Sequence, residues 1–96
     1  MNIVIVGTGY VGLVTGVGFA EQGHRVSFVD LDSKKIDKLA NKNLPFFEPG
    51  LGDYFTNEEN FQRMSFHDNY QGLSWGETDI VFICVQTPNN LETNSV

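Results

Sequence analysis

A glycine-rich turn between two apolar segments constrains the fold of this chain most strongly. Residues 3–6, IVIV, are continuously apolar, and Gly7, Gly9 and Gly12 follow them. A continuous apolar run is typical of a strand covered on both faces, as in a parallel sheet. The next segment is apolar, lacks proline and predicts a helix over residues 10–22. The chain is therefore expected to begin with a strand, a tight turn and a helix.

The remaining patterns alternate between strand and helix. Asp32 or Ser33 can cap a second helix, whose inner stripe is Ile36, Leu39 and Ala40. Alternating strands and helices indicate a parallel sheet with right-handed crossovers. We predict an α/β, Rossmann-type three-layer fold with strand order 3-2-1-4, the first half of a dinucleotide-binding domain. The predicted strands are 2–7, 25–30, 63–67 and a buried 79–85; the predicted helices are 10–22, 34–42, one within 45–55 that starts at Pro49, and a short helix or loop at 68–76.

The composition restricts the classes of function. The chain has 96 residues and a net charge of −6, which argues against holding nucleic acid by bulk charge. Cys84 is the one cysteine, so no internal disulfide can form. No apolar run approaches the roughly 18 residues of a membrane span, and the first residues lack the features of a signal peptide. We expect a cytoplasmic protein without a nucleic-acid or membrane partner.

The three glycines spell G-x-G-x-x-G, the pattern of a dinucleotide-binding turn. Gly7 permits the tight turn, Gly9 lets backbone approach a pyrophosphate, and Gly12 lets the helix lie close to the strand. Asp30 lies at the end of the next predicted strand, 18 residues after Gly12. This context favours a dinucleotide site; the alternative is a glycine turn that binds no ligand.

The same residues distinguish between the two nicotinamide dinucleotides. The helix N-terminus offers unpaired N–H groups and partial positive charge to a diphosphate, so an acidic chain needs no basic patch there. Asp30 can accept hydrogen bonds from both hydroxyls of the adenine ribose and would repel a 2′-phosphate. We therefore predict NAD rather than NADP as the cofactor.

Three segments resemble the UDP-glucose and GDP-mannose dehydrogenase family: GTGYVGLVTGVGFAEQGHRVSFVDLDSKKI, PFFEPGL and DIVFICVQTP. They stand in the family's order and cover roughly residues 1–90. The resemblance implies a two-step oxidation of the C6 hydroxyl of a nucleotide sugar to a carboxylate. Such an enzyme uses two NAD and passes through a thiohemiacetal and a thioester on a cysteine.

The resemblance also implies cofactor-binding roles for individual residues. Val11 would lie on the pyrophosphate turn, Asp30 and Lys35 at the adenosine ribose, and Thr87 on the other side of the cofactor. Each of three has another interpretation: Val11 as a helix-packing residue, Lys35 as a solvated lysine, Thr87 as a residue that shapes a turn. Tyr10 joins this set, or simply covers the glycine turn.

Other chemically active side chains point to structural roles. Cys84 lies within an apolar strand pattern, where a thiol is usually a small core residue. His24 and His67 have no second ligand at metal-binding spacing, and we predict no metal site. Glu48 is expected to complement the dipole of a following helix; its alternative is a role near an active-site cleft.

The resemblance also sets an expectation for the extent of the domain. Residues 1–96 lack the family's nucleotide-sugar domain and its catalytic lysine, asparagine and cysteine. We expect an incomplete N-terminal NAD-binding domain without catalytic residues, from a homo-oligomeric parent that oxidises UDP-glucose to UDP-glucuronate. The alternatives are a GDP-mannose or UDP-N-acetylmannosamine dehydrogenase, a stand-alone NAD-binding module, and a different NAD-dependent dehydrogenase, such as a hydroxyacyl-CoA or 6-phosphogluconate type. The segment PFFEPGL argues against the last of these. An exposed fourth strand or the first helix would then promote self-association.

Overall fold

The computed structural model describes residues 1–85, which form one parallel sheet with helices on one face. Longer connections separate α2 from α3 and β3 from β4, and one turn of 3-10 helix, Trp75–Glu77, precedes the last strand. Within the described residues the elements are β1 (Asn2–Val6), α1 (Tyr10–Glu21), β2 (Arg25–Val29), α2 (Ser33–Ala40), α3 (Leu51–Thr56), α4 (Glu58–Gln62), β3 (Met64–His67) and β4 (Ile80–Ile83).

The sheet has the order β3-β2-β1-β4, and every strand pair in it is parallel. Val4 pairs with Ser27 of β2 on one side and with Val81 of β4 on the other. The predicted strand order and the α/β, Rossmann-type class are confirmed. This order places the carboxyl ends of β1, β2 and β4 side by side.

The main core lies between the sheet and α1. Ile5 and Phe28 point from the sheet towards this core, where they meet Leu13 of α1, and all three are fully buried. A Cβ on Gly12 would clash with the Gly7 carbonyl oxygen, and a Cβ on Gly16 would clash with the Phe28 ring. Glycine at these positions therefore lets α1 lie directly on the sheet.

The opposite face of the sheet is covered incompletely by residues 1–85. Val4, Val6 and Val29 are buried there, and Leu73 packs against them. On β4, however, Ile83 keeps 67% of its surface exposed. The prediction of a buried strand over 79–85 is therefore wrong in burial. β4 is also shorter than predicted, because pairing within the described residues ends at Ile83.

The second helix starts as predicted but ends early. Of its two candidate caps, Asp32 is the one observed: its carboxylate accepts from the amides of Lys34 (3.1 Å) and Lys35 (3.3 Å). The helix ends at Ala40 rather than at 42, because Lys42 adopts a left-handed backbone with φ 67°. Ala40 is exposed, so its place in the predicted inner stripe is wrong.

The segment between α2 and β3 departs most from the prediction. Pro49 does not begin a helix, because Gly50 with φ 85° caps α3 and Leu51 is its first residue. The sequence reasoning missed α4. Its signal is Asn57, a good N-cap residue, whose side chain accepts from the amide of Asn60 at 3.0 Å.

Within residues 1–85, no helix is both long enough and apolar enough to cross a membrane.

Candidate cofactor-binding site

A cleft of about 490 Å³ opens at the carboxyl ends of the strands, beside the N-terminus of α1. Six of the eight predicted site residues line it. Gly12 lies beneath the cleft at the contact of α1 with the glycine turn, and Thr87 lies outside the described residues. The lining consists of Gly7, Thr8, Gly9, Tyr10, Val11, Asp30, Lys35, Cys84 and Val85.

The first glycine closes the floor of the cleft. Gly7 has a backbone φ of 101°, which residues with a Cβ rarely adopt. Its amide donates to the Val29 carbonyl at 2.7 Å, and a Cβ on it would lie 2.8 Å from the carbonyl oxygen of Cys84. Gly7 thus lets the carboxyl ends of β1, β2 and β4 lie close together at the floor of the cleft.

The second glycine leaves the cleft open. Gly9 has φ −75°, and no atom lies within 4 Å of the position that its Cβ would occupy. Gly9 also caps α1, and within the described residues no side chain caps this helix end and no acidic residue lies in its first turn. Unpaired amides beside open space fit a diphosphate group.

The two residues after Gly9 face outward. Val11 is 62% exposed, so its main role is not core packing, and its side chain borders the cleft. The Tyr10 hydroxyl donates to Glu48 Oε1 at 3.1 Å, and its ring packs on Phe46 with 5.4 Å between centroids. The hydrogen bond and the negative charge of Glu48 raise the pKa of Tyr10.

Glu48 therefore has a different role from the one predicted. It precedes α3 and lies outside the first helical turn, because α3 starts at Leu51. Its carboxylate instead meets Tyr10 and ties the PFFEPGL segment to the glycine turn. The interpretation of Glu48 as a first-turn carboxylate is wrong. The proximity of Glu48 to the rim of the cleft favours the alternative.

Asp30 follows β2 and points its carboxylate into the cleft. Its Oδ2 accepts from the Thr8 amide at 3.0 Å and from the Thr8 hydroxyl at 2.7 Å. Its Oδ1 accepts from the Asp32 amide at 3.0 Å. Lys35 Nζ lies 3.6 Å from Oδ2 and brings a positive charge to the same carboxylate.

The protonation state of Asp30 follows from these contacts. Burial, the largest influence, raises the pKa of the carboxyl, but the donors from Asp32 and Thr8 favour the ionised form. The charge of Lys35 acts in the same direction. The net result is a pKa below the usual value, so Asp30 is a carboxylate at neutral pH and an acceptor for hydroxyl groups.

Thr8 is the residue that sequence reasoning missed. It is fully buried in the turn, and both of its donors are directed at Asp30. The available signal was a hydroxyl residue inside the glycine motif, 22 residues before an aspartate at the end of the next strand. Such a pair can meet because β1 and β2 are adjacent and parallel.

Of the other candidate residues, Cys84 borders the cleft, and the two histidines do not line it. Cys84 is half-buried; its backbone contacts the glycine turn, and its side chain packs against the main core. The His24 ring meets the N-terminal amine at 3.0 Å, and the His67 ring meets the Ser65 hydroxyl at 2.9 Å. In residues 1–85 no three potential metal ligands cluster together.

Comparison with known proteins gives one consistent group of relatives. Residues 1–96 match the UDP-glucose/GDP-mannose dehydrogenase family, NAD binding domain. The chain is 46% identical over 89 residues to the UDP-glucose 6-dehydrogenase YwqF of Bacillus subtilis, covering 92% of this chain and 20% of that protein. It is 43% identical over 89 residues to the UDP-glucose 6-dehydrogenase of Rhizobium meliloti, covering 93% and 20%.

Solved structures give the same grouping. A ternary complex of GDP-mannose dehydrogenase from Pseudomonas aeruginosa is similar with a TM-score of 0.80 and 36% identity, over 92% of this chain and 20% of that one. A UDP-D-ManNAc dehydrogenase from Pyrococcus horikoshii is similar with a TM-score of 0.81 and 30% identity, over 92% and 21%. The chain spans about a fifth of the length of the relatives that it matches.

Proposed function

The chain belongs to the UDP-glucose/GDP-mannose dehydrogenase family as its NAD-binding domain, and from this premise we propose that the cleft beside α1 binds the adenosine diphosphate half of NAD. The protein then serves the oxidation of a nucleotide sugar, with UDP-glucose as the first candidate. One observation carries this proposal: a partly buried carboxylate, Asp30, shares a cleft with an open helix N-terminus that no side chain of residues 1–85 caps.

Each part of the cleft suits one part of the dinucleotide. The free amides of the first turn of α1 receive the diphosphate, over the open space at Gly9. The Asp30 carboxylate accepts hydrogen bonds from the adenosine ribose, and Lys35 borders the same group. Gly7 and Gly12 shape the turn, and Tyr10 and Val11 form its outer rim. Bound NAD supplies a hydride acceptor for the oxidation of the sugar alcohol.

Charge decides between NAD and NADP in this proposal. Asp30 is ionised, and a ribose 2′-phosphate placed on it would bring two negative groups together in a partly buried site. Lys35 supplies one positive charge, which the Asp30 carboxylate already engages. The site therefore prefers the free 2′-hydroxyl of NAD.

The choice of sugar rests on the relatives. The two sequence relatives described above are UDP-glucose 6-dehydrogenases, at 46% and 43% identity. This favours UDP-glucose over GDP-mannose or UDP-N-acetylmannosamine, the sugars named for the two structural relatives.

We further propose a cytoplasmic, homo-oligomeric protein. The exposed apolar side of β4 supports self-association.

Calorimetric titration of the chain with NAD and with NADP tests cofactor binding. We expect NAD to bind more tightly than NADP. Asp30→Ala should weaken NAD binding by about tenfold or more, the value of one or two hydrogen bonds to a charged group. Glu21→Ala, on an exposed position at the far end of α1, is the matched control and should leave binding unchanged. Equal NAD affinity for the wild type and Asp30→Ala would contradict the proposal.

A chimera tests whether this domain can serve the oxidation of a nucleotide sugar. The 89-residue matching segment of this chain replaces its counterpart in the Bacillus subtilis relative, to which it is 46% identical. Production of NADH from UDP-glucose by the chimera, lost with Asp30→Ala, would support the proposed role. A folded chimera that binds NAD but oxidises no nucleotide sugar would contradict it.

A further inference from the structure

We propose that Thr8 is a positioning residue for cofactor selection: its buried hydroxyl fixes the Asp30 carboxylate so that one carboxylate oxygen faces the adenosine ribose. The inference rests on the proposed function, since it assumes that NAD binds in this cleft. Thr8 occupies a variable position of the G-x-G-x-x-G motif, and the proposal gives this residue a specific role.

The geometry singles out the hydroxyl. Thr8 is fully buried, and a buried hydroxyl needs a hydrogen-bond partner. That partner is Oδ2 of Asp30, at 2.7 Å, a short distance typical of a hydroxyl that donates to an ionised carboxylate. The backbone amide at position 8 donates to the same oxygen at 3.0 Å, and any residue except proline could make this bond. The hydroxyl is the part that the choice of threonine adds.

The donors are distributed unequally over the two carboxylate oxygens. A carboxylate offers about four lone-pair positions, two on each oxygen. Both Thr8 donors occupy Oδ2, which Lys35 also approaches at 3.6 Å. Among residues 1–85, the Asp32 amide is the one donor to Oδ1. The remaining acceptor position is therefore on Oδ1, and this is the oxygen that a ribose hydroxyl meets first.

Without the hydroxyl, this orientation loses its strongest support. Lys35 Nζ lies just beyond hydrogen-bond distance of Oδ2. A carboxylate released by Thr8 can rotate to meet that amine, and Oδ1 then leaves its place towards the ribose. Holding the carboxylate in advance spares the cost of ordering it during binding, which increases affinity for the correct cofactor.

Two substitutions separate the hydroxyl from the rest of Thr8. Thr8→Val keeps the branched shape and the backbone amide but removes the hydroxyl; Thr8→Ser keeps the hydroxyl. We expect Thr8→Val to weaken NAD binding by about tenfold, the value of one hydrogen bond to a charged group, and Thr8→Ser to stay within about threefold of the wild type. Calorimetry with NAD measures both.

The loss must act through Asp30 and the ribose. In the Asp30→Ala background, Thr8→Val should cost less than about twofold, because coupled residues do not add. The same small cost is expected with NAD that lacks the 2′-hydroxyl of its adenosine ribose. A tenfold loss that persists in both cases would assign Thr8 to the general shape of the turn and overturn the inference.

A second readout needs no ligand. Titration of the Asp30 carboxyl by NMR should show a higher pKa in Thr8→Val than in the wild type, and little change in Thr8→Ser, because the hydroxyl stabilises the ionised form. An unchanged pKa in Thr8→Val would overturn the inference, as would tighter NAD binding by that variant. NAD affinity that does not depend on Asp30 contradicts the proposed function, whereas dependence on Asp30 but not on Thr8 contradicts this inference alone.

Discussion

The carboxyl ends of β1, β2 and β4 are all apolar in sequence, but their surroundings differ in the described structure. At β1 and β2, the polar side chains of Thr8 and Asp30 satisfy each other and Lys35 adds a charge. On β4, Val81 and Ile83 remain exposed. The residues that complete the first region all lie within the first 35 residues of the chain. The second presents an apolar surface that residues 1–85 leave uncovered.

The largest expected effect comes from the contact between α1 and β1. Gly12→Ala places a methyl group against the Gly7 carbonyl oxygen and the Ile5 side chain. Backbone cannot yield there without opening the turn, so we expect a loss of about 3 kcal/mol in the free energy of unfolding. Urea denaturation measures this loss.

Gly18→Ala is the matched control in the same helix. Gly18 is exposed, and nothing lies within 4 Å of its Cβ position. Alanine there should stabilise the protein by about 0.5–1 kcal/mol, because glycine is a poor helix former. Equal losses from both substitutions would mean that close packing of α1 does not shape the turn.

The next effect is the dependence of stability on pH. The pKa of Asp30 is lowered in the folded state, so its contribution is complete above the unfolded-state value of about 3.9 and is lost as pH falls through the folded-state pKa. Asp30→Asn should cost about 1–3 kcal/mol at pH 6, because it leaves buried donors without their charged acceptor.

Urea midpoints measured from pH 6 downward check the sign. The difference between wild type and Asp30→Asn should be constant above about pH 4 and should shrink below it. A difference that grows as the pH falls would contradict a lowered pKa for Asp30.

The exposed side of β4 offers a test of the second region. We expect the wild-type chain to self-associate with rising concentration in sedimentation, and Ile83→Lys to reduce that association. The substitution should change stability by less than about 0.5 kcal/mol, since Ile83 is mostly exposed. Leu31→Lys is the control, because Leu31 is equally large and 72% exposed but lies in the loop after β2. A wild-type chain that stays monomeric at all concentrations would contradict the prediction.

The smallest effect concerns the link between the turn and the PFFEPGL segment. Glu48→Gln removes the charge beside Tyr10, so the pKa of Tyr10 should fall towards its ordinary value of about 10. NMR titration of the tyrosine ring measures this change. The urea midpoint should not move measurably, because both side chains are exposed at the surface. An unchanged Tyr10 pKa would show that the pair does not persist in solution.

Short-range patterns made the first half of the fold predictable. The strand, turn and helix around Gly7 depend on neighbouring residues, and Gly12 indicated the close packing of α1 on the strand. Asp30 could be assigned to the cleft because it follows β2, the next strand in the chain, which pairs in parallel with β1. Sequence spacing and burial were enough for these positions.

The remaining features of the fold and of the site could not be predicted, because they depend on contacts beyond the local sequence pattern. The apolar run of β4 predicted burial on both faces, but burial depends on what covers the strand, which its own residues do not encode. Pro49 was compatible with a helix start, yet the left-handed Gly50 moved that start to Leu51. The contact of Thr8 with Asp30 depends on side-chain direction across two strands, and a one-dimensional motif does not contain it.

Above all, we propose that the cleft beside α1 binds the adenosine diphosphate half of NAD. The most direct test is an NMR titration of the chain with NAD that follows each backbone amide. We predict saturable shifts concentrated at residues 8–12 and 30–35, with none at the cavity formed around Ser65 and His67 on β3. Shifts centred on that cavity, or no saturable shifts at residues 8–12 and 30–35 of the folded chain, would contradict the claim.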